Sequence, residues 1–272
     1  MPELLWLPVG FVLGAYGTLI GAGGGFLLVP LLLLVYPNDS PHTIATISLT
    51  VVFVNALSGS GAYARMRRID YKSGLLFSTA TVPGAIVGAL VTDRMPRRPF
   101  DLMIGVLMLA ICVFLLRPPP SGSGAGGGGR WRIERRLVEA DGTAHAYAFN
   151  PVLGVGLSLG VGFLSSLLGI GGGIIHVPVM VNLLHFPVHV ATATSHFTLA
   201  IMTLAGSAVH AIEGDFVGVL GRIVPLSIGV AAGAQLGAVL ARWVGGVWII
   251  RALVVALAFV GVRLILLGWH GG

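Results

Sequence analysis

A ten-residue stretch occurs twice in this chain. Gly21-Ala22-Gly23-Gly24-Gly25-Phe26-Leu27-Leu28-Val29-Pro30 returns 148 positions later as Gly169-Ile170-Gly171-Gly172-Gly173-Ile174-Ile175-His176-Val177-Pro178. Each copy sets four glycines and a proline inside a long apolar segment. Glycine loses the most backbone entropy on entering a helix, and proline lacks the N–H that the helical ladder needs. A helix arriving from residues 4 to 20, or from 151 to 168, is therefore expected to break in the motif. In lipid, unwound backbone is tolerated only where protein buries it or where it lines a wet cavity. Paired breaks at matching places in two halves of a chain thus point to the binding site of a transporter.

That argument needs a membrane, and composition supplies it. Of 272 residues, 56% are hydrophobic and only 10% are charged, far below the charged fraction of soluble domains. Apolar runs close to the roughly 20 residues that span a bilayer cover about 4 to 36, 43 to 64, 73 to 92, 100 to 116, 151 to 184, 190 to 212, 216 to 241 and 246 to 268. The net charge of +6 sits on arginines in the connections, where it reads as a topology signal rather than a nucleic-acid surface. The single cysteine, Cys112, excludes an intramolecular disulfide and a Cys-rich metal site.

The expected fold is an all-α polytopic integral membrane protein of two homologous halves with Gly/Pro-broken helices. Residues 1–117 form a first transmembrane repeat, 118–150 a cytoplasmic flexible linker and 151–272 a second transmembrane repeat. The linker opens with Pro118-Pro119-Pro120 and continues in Gly and Ser, too little apolar surface to order itself; an exposed hairpin around Asp141-Gly142 is expected within it. Gly84-Ala85-Ile86-Val87-Gly88-Ala89 and Gly233-Ala234-Gln235-Leu236-Gly237-Ala238 supply matching small-residue packing faces. Residues 65 to 72 carry four Lys/Arg and residues 117 to 136 carry five, so their shared side is expected to be cytoplasmic. If each glycine-broken segment crosses once, there are eight spans and parallel repeats. If it turns back, there are ten segments, inverted repeats and termini outside.

A helix restarting at Phe26 or Ile174 would aim its first N–H groups and positive dipole end at the gap, a place for an anion. The glycines Gly21, Gly23, Gly24, Gly25, Gly169, Gly171, Gly172 and Gly173, with Pro30 and Pro178, are the candidate substrate site. Asn55, Thr194 and Ser195 could donate hydrogen bonds to an oxyanion, or equally hold helices together. His176 and His196 are intramembrane ionisable residues, costly enough to suggest proton coupling or anion contact. His185 and His189 are spaced i, i+4, but Pro187 between them prevents a preformed metal pair. No metal site is expected, since there is no cysteine cluster and acidic residues within the runs are few.

The two motifs, carried by Gly21, Gly23, Gly24, Gly25, Pro30, Gly169, Gly171, Gly172, Gly173 and Pro178, together with the duplicated plan and the length, resemble the sulfite exporter TauE/SafE family of membrane permeases. The resemblance covers nearly the whole chain. It implies transport of sulfur-containing or organic anions, such as sulfite or sulfonates, across the bacterial cytoplasmic membrane, usually outward.

The expectation is then a multi-pass secondary transporter, not an enzyme, for small anions, driven by a proton gradient or the membrane potential. It needs no cofactor, and its partners are the small anionic substrate and the lipid bilayer, with no nucleic acid. A transition-metal permease using the second-half histidines is the alternative.

Overall fold

A computed structural model describes residues 3–116, 132–214, 216, 218–241, 243, 254–255, 257–259 and 261–266. Nine helices are followed in chain order: α1 (Trp6–Leu19), α2 (Gly25–Val35), α3 (Pro41–Arg65), α4 (Tyr71–Thr92), α5 (Arg97–Leu116), α6 (Pro151–Leu167), α7 (Gly173–Asn182), α8 (Val188–Glu213) and α9 (Leu220–Leu240). Between α5 and α6 lie strands β1 (Ile133–Val138) and β2 (Ala144–Phe149). The stretch Leu257–Leu266 is also helical and apolar. Helices α3, α4, α8 and α9 are each long and apolar enough to cross a membrane. The chain is an all-α membrane protein, with one small β-hairpin among the described residues. The Pro/Gly stretch from 118 to 129 and residues Arg117, Arg242 and Arg251 lie outside the described residues.

The glycine motifs break their segments as expected, at Ile20 to Gly24 and at Leu168 to Gly172. The prolines do not mark the break: Pro30 and Pro178 lie inside α2 and α7. At each break the chain turns back. Trp6, at the start of α1, stacks on Tyr36, just beyond α2, with ring centroids 6.0 Å apart. A Cβ placed on Gly154, near the start of α6, would lie 3.4 Å from Leu184 beyond α7. Of the two courses open from the sequence, both segments take the hairpin.

The first helix of each hairpin is gripped by a helix of the other half. On α4, Gly84 and Gly88 face the Leu159 and Phe163 carbonyls of α6, where an added Cβ would come within 2.3 Å of each oxygen. On α9, Gly233 and Gly237 face the Phe11 and Ala15 carbonyls of α1 at 2.1 Å in the same sense. These are the two small-residue faces seen in the sequence, and backbone meets backbone along them. Gln235 ties α9 to α3 as well, its Nε2 donating to the Ser58 carbonyl at 2.8 Å, while Ser58 Oγ donates to the Ala231 carbonyl at 2.7 Å.

The helices present two ends with different polar clusters. At one end, Arg97 binds Asp101 and donates to the carbonyls of Leu33, Pro37 and Asp39. Arg222 pairs with Asp39 and lies 4.3 Å over the Tyr36 ring. Ser40 caps α3, accepting from the Thr43 N–H. At the other end, Arg68 pairs with buried Glu139, and Tyr147 Oη donates to Asp70 Oδ2 at 2.7 Å. Burial, then the neighbouring Asp70, hold the Tyr147 hydroxyl protonated well above its ordinary range.

The hairpin around Asp141-Gly142 is present, with Ile133 paired to Phe149 and Val138 to Ala144. It is not simply exposed. Tyr147 and Phe149 are buried against Phe77 and Phe186, and the Ala140 N–H donates to the Met66 carbonyl. Its alternating pattern puts one face on the helix ends, which is how a two-stranded ribbon gains stability.

Gly233→Ala is expected to destabilise the protein by about 1–3 kcal/mol, because Phe11 backbone cannot yield to the new methyl. Gly156, whose Cβ would meet nothing within 4 Å, tolerates alanine with a gain of roughly 0.5–1 kcal/mol from helix propensity. Thermal unfolding of the two purified variants in one detergent checks the contrast.

Candidate functional site

The two hairpin turns touch. A Cβ on Gly173 would fall 2.4 Å from the Gly21 carbonyl oxygen and 2.7 Å from Ala22 Cα, and one on Gly25 would fall 2.6 Å from the Ile170 carbonyl oxygen. Only residues without side chains allow this approach. Gly24 and Gly172, the N-cap residues of α2 and α7, are left-handed at φ 82° and 70°, a conformation glycine adopts without penalty.

The turns close on themselves. The N–H groups of Ala22 and Gly23 bond to the Gly17 carbonyl, and that of Ile170 bonds to Ser165. Helices α2 and α7 then start afresh, with Leu27 and Leu28 bonding to the Gly24 carbonyl and Ile175 and His176 to that of Gly172. The opening N–H groups of both helices therefore sit where the turns meet, with the positive end of each dipole.

Helices α3 and α8 flank this meeting point. A Cβ on Gly21 would meet Thr192 of α8 at 2.8 Å, one on Gly169 would meet Ala45 of α3 at 2.8 Å, and Val52 of α3 faces Gly23, Gly25 and Gly171. Ser195 Oγ of α8 donates to the Gly21 carbonyl at 3.4 Å. Asn55 of α3 is fully buried. Its Oδ1 accepts from Thr18 at 3.0 Å, its Nδ2 donates to the Gly14 carbonyl at 3.1 Å, and His196 Nε2 lies 3.2 Å from both Asn55 Oδ1 and Thr18 Oγ1. The Tyr63 ring stands edge-on to His196.

His176 belongs to a different cluster, 3.3 Å from Ser158 Oγ and edge-on to Phe77. It lines a small cavity of about 10 Å³ with Gly172, Gly173, Ser195, Thr81 and Thr198, room for about one water. His176 and His196 make no common contact among those described. Thr194 faces away, accepting from the Asp70 N–H at 3.0 Å. Pro30 and Pro178 are set back in their helices, with Pro30 unable to donate to the Phe26 carbonyl.

Two larger spaces open toward the end that carries Arg68. One of about 20 Å³ is lined by Leu19, Tyr63, Arg68, His189 and Thr192. A second, of about 300 Å³, is lined by Met66, Arg68, Glu139, Ala140 and Asp141. Arg68 borders both, and its Nη1 is buried without a hydrogen-bond partner among the described residues. Thr192, shared with the Gly21 contact, connects the smaller space to the turns. The sequence reading treated Arg68 only as topology and passed over Thr18; the one available signal was that Thr18 sits three residues before the first motif.

A family model described as sulfite exporter TauE/SafE matches residues 6–264. The chain belongs to the sulfite exporter TauE/SafE family. Among the relatives of this TauE/SafE chain, the probable membrane transporter protein YunE of Bacillus subtilis strain 168 is 31% identical over 97% of this chain and 98% of its own length. A probable membrane transporter protein of Methanocaldococcus jannaschii is 26% identical over 75% of this chain and 72% of its own length. The probable membrane transporter protein YdhB of Bacillus subtilis strain 168 is 26% identical over 86% of this chain and 89% of its own. No solved structure matches. The TauE/SafE match and the apolar helices identify a multi-pass membrane transport protein, and the matched residues span both hairpins.

Asn55→Ala removes the buried bonds to Thr18, His196 and the Gly14 carbonyl together, so it is expected to cost about 1–3 kcal/mol. Thr203→Val, which removes only a bond back to the Leu199 carbonyl of its own helix, should cost less than about 1 kcal/mol. Thermal unfolding of both variants in detergent reads the difference.

Proposed function

We propose that this TauE/SafE chain is a secondary transporter that exports small anions, sulfite or organosulfonates, across the bacterial cytoplasmic membrane. It is built from two inverted repeats of five membrane segments. The observation that carries this reading is the meeting of two glycine turns from oppositely directed hairpins. At about 1.5 Å per residue, helices of 14 and 11 residues reach about 21 and 16 Å, short of a hydrocarbon core of about 30 Å. In the second hairpin, helices of 17 and 10 residues reach about 26 and 15 Å, and on this reading each hairpin enters the membrane and returns to its own side.

The end bearing Arg65, Arg67, Arg68, Lys72, Arg135 and Arg136 is cytoplasmic on the positive-inside rule. At the opposite end Arg97 and Arg222 are bound by carbonyls and by Asp101 and Asp39, which explains why arginines there do not reverse the orientation. The first hairpin enters from outside and the second from the cytoplasm. The substrate path runs from the Arg68 cavity past Thr192 to Gly21 to Gly25 and Gly169 to Gly173, where α2 and α7 begin. Arg68 attracts the anion at the mouth, Ser195 and Asn55 hold the walls, and His176 stands at the narrowest cavity, where it could pass a proton.

The space beside His176, about 10 Å³, is too small for a sulfite ion, so on this reading transport requires the hairpins to move against α3 and α8. That motion is the usual course for inverted-repeat carriers. The sequence carries no ATP-binding motif, and on this reading a proton gradient or the membrane potential is the driving force.

Flux of radiolabelled sulfite and simple sulfonates into proteoliposomes, with and without an imposed pH gradient, tests the reading. Wild type should move at least one of these anions, faster with the gradient. Gly173→Leu, which drives a side chain into the Gly21 carbonyl, should lose the flux, and the charge-neutral pair Arg68→Gln/Glu139→Gln should slow it. Folded wild-type protein that moves none of these anions contradicts the substrate class.

A further inference from the structure

At the end that carries Asp39 and Arg222, three ligating side chains from two halves of the chain converge. His42 is in the first turn of α3, His210 in the last turn of α8, and Glu213 is the final residue of α8. His42 Nε2 lies 2.8 Å from His210 Nδ1 and 3.6 Å from Glu213 Oε2, and His210 Nδ1 lies 3.9 Å from the same oxygen. We propose that His42, His210 and Glu213 form a binding site for a late first-row divalent ion, Zn(II) foremost, with Asp93 as the residue that orients His42.

The geometry suits that ion. With metal–ligand distances of about 2.0–2.2 Å in a tetrahedral site, neighbouring ligand atoms stand about 3.3 Å apart, and the three observed separations bracket this value. Two imidazole nitrogens and one carboxylate favour zinc over magnesium or calcium, which prefer all-oxygen shells. On the far side of His42, Nδ1 is 3.1 Å from Asp93 Oδ1, the carboxylate-to-imidazole arrangement that fixes the tautomer and direction of a ligating histidine. A hydrogen-bonded pair of imidazoles alone would not require a carboxylate directed at the same two nitrogens. His210 is fully buried, His42 is 15% exposed and Glu213 is 32% exposed, so the cluster is anchored on one side and reachable from water on the other. Water or a further ligand completes the shell there.

All four residues are held by helix ends: α3, α8 and the residue that follows α4. The sequence gives no warning of the cluster, because His42 is separated from His210 by 168 positions, and the i, i+4 histidines that drew attention, His185 and His189, do not belong to it. A metal ion here would tie α3 to α8, and by binding only when their ends meet it would favour the conformation described above. This proposal stands apart from the anion reading and survives its failure.

Titration of the purified full-length protein with Co(II) in detergent, followed by displacement with Zn(II), tests it. The expected result is one Co(II) per chain with the visible absorption of a four-coordinate ion, removed by Zn(II). His42→Ala and Glu213→Gln should abolish that absorption, Asp93→Asn should weaken binding by about 10-fold, and His185→Ala should leave it unchanged. Glu213 ends its helix and is partly exposed, so Glu213→Gln decides the matter should His42→Ala fail to fold. Wild-type protein without four-coordinate Co(II), or Glu213→Gln protein that keeps it, overturns the site; an unchanged affinity in Asp93→Asn overturns the role of Asp93.

Discussion

Backbone-to-backbone contact between two side-chain-free turns is the constraint on which the other features depend. Where Gly173 meets the Gly21 carbonyl and Gly25 meets that of Ile170, even one methyl group would force the hairpins apart. The same economy extends outward along the seams where Gly84 and Gly88 receive α6 and Gly233 and Gly237 receive α1. Lipid tails are as apolar as leucine, so helices in a bilayer gain little by hiding apolar side chains from their surroundings. Close approach, with its dispersion contacts and a few interhelical hydrogen bonds, replaces that driving force. Each hairpin is consequently held by helices of the other half, and neither half has a complete packing surface by itself.

This exchange also places polar groups. Thr18 and Gly14 of the first hairpin meet Asn55 and His196 from α3 and α8, so one buried network ties three elements together beside the turns. The second hairpin has His176 and Ser158 in the corresponding region, beside Thr81 of α4. The two sides of the meeting point thus have unlike chemistry on a like backbone. A carrier that must bind on one side and release on the other can use such inequality, since equal affinity for two states shifts neither.

Much of this was legible before any coordinates. Four glycines with a proline, duplicated in register, mark a break, and the breaks fall at those glycines. The small-residue faces at 84 to 89 and 233 to 238 are the seams. What the residues did not reveal was direction: glycine permits both a kink and a reversal, and the reversal is fixed by contacts such as Trp6 with Tyr36 that are thirty residues apart. Pro30 and Pro178 misled for a related reason, since each sits midway along a short helix and removes one bond without ending it. Thr194 was grouped with its neighbour Ser195, yet adjacent helical residues point some 100° apart, and Thr194 serves the Asp70 N–H instead. Arg68 looked like one more topology charge because its burial with Glu139 depends on a hairpin 71 positions away.

The inverted course of the two hairpins is tested most directly by the sidedness of their ends. In a Cys112→Ala background, single cysteines at Leu5, Asn38 and His185 would be probed in intact cells with a membrane-impermeant maleimide. The inverted arrangement predicts that Leu5→Cys and Asn38→Cys both react from outside, whereas His185→Cys reacts only after the membrane is permeabilised. Labelling of Leu5→Cys and Asn38→Cys from opposite sides would contradict it, because the first segment would then cross the membrane once and the two glycine turns could not meet as oppositely directed hairpins.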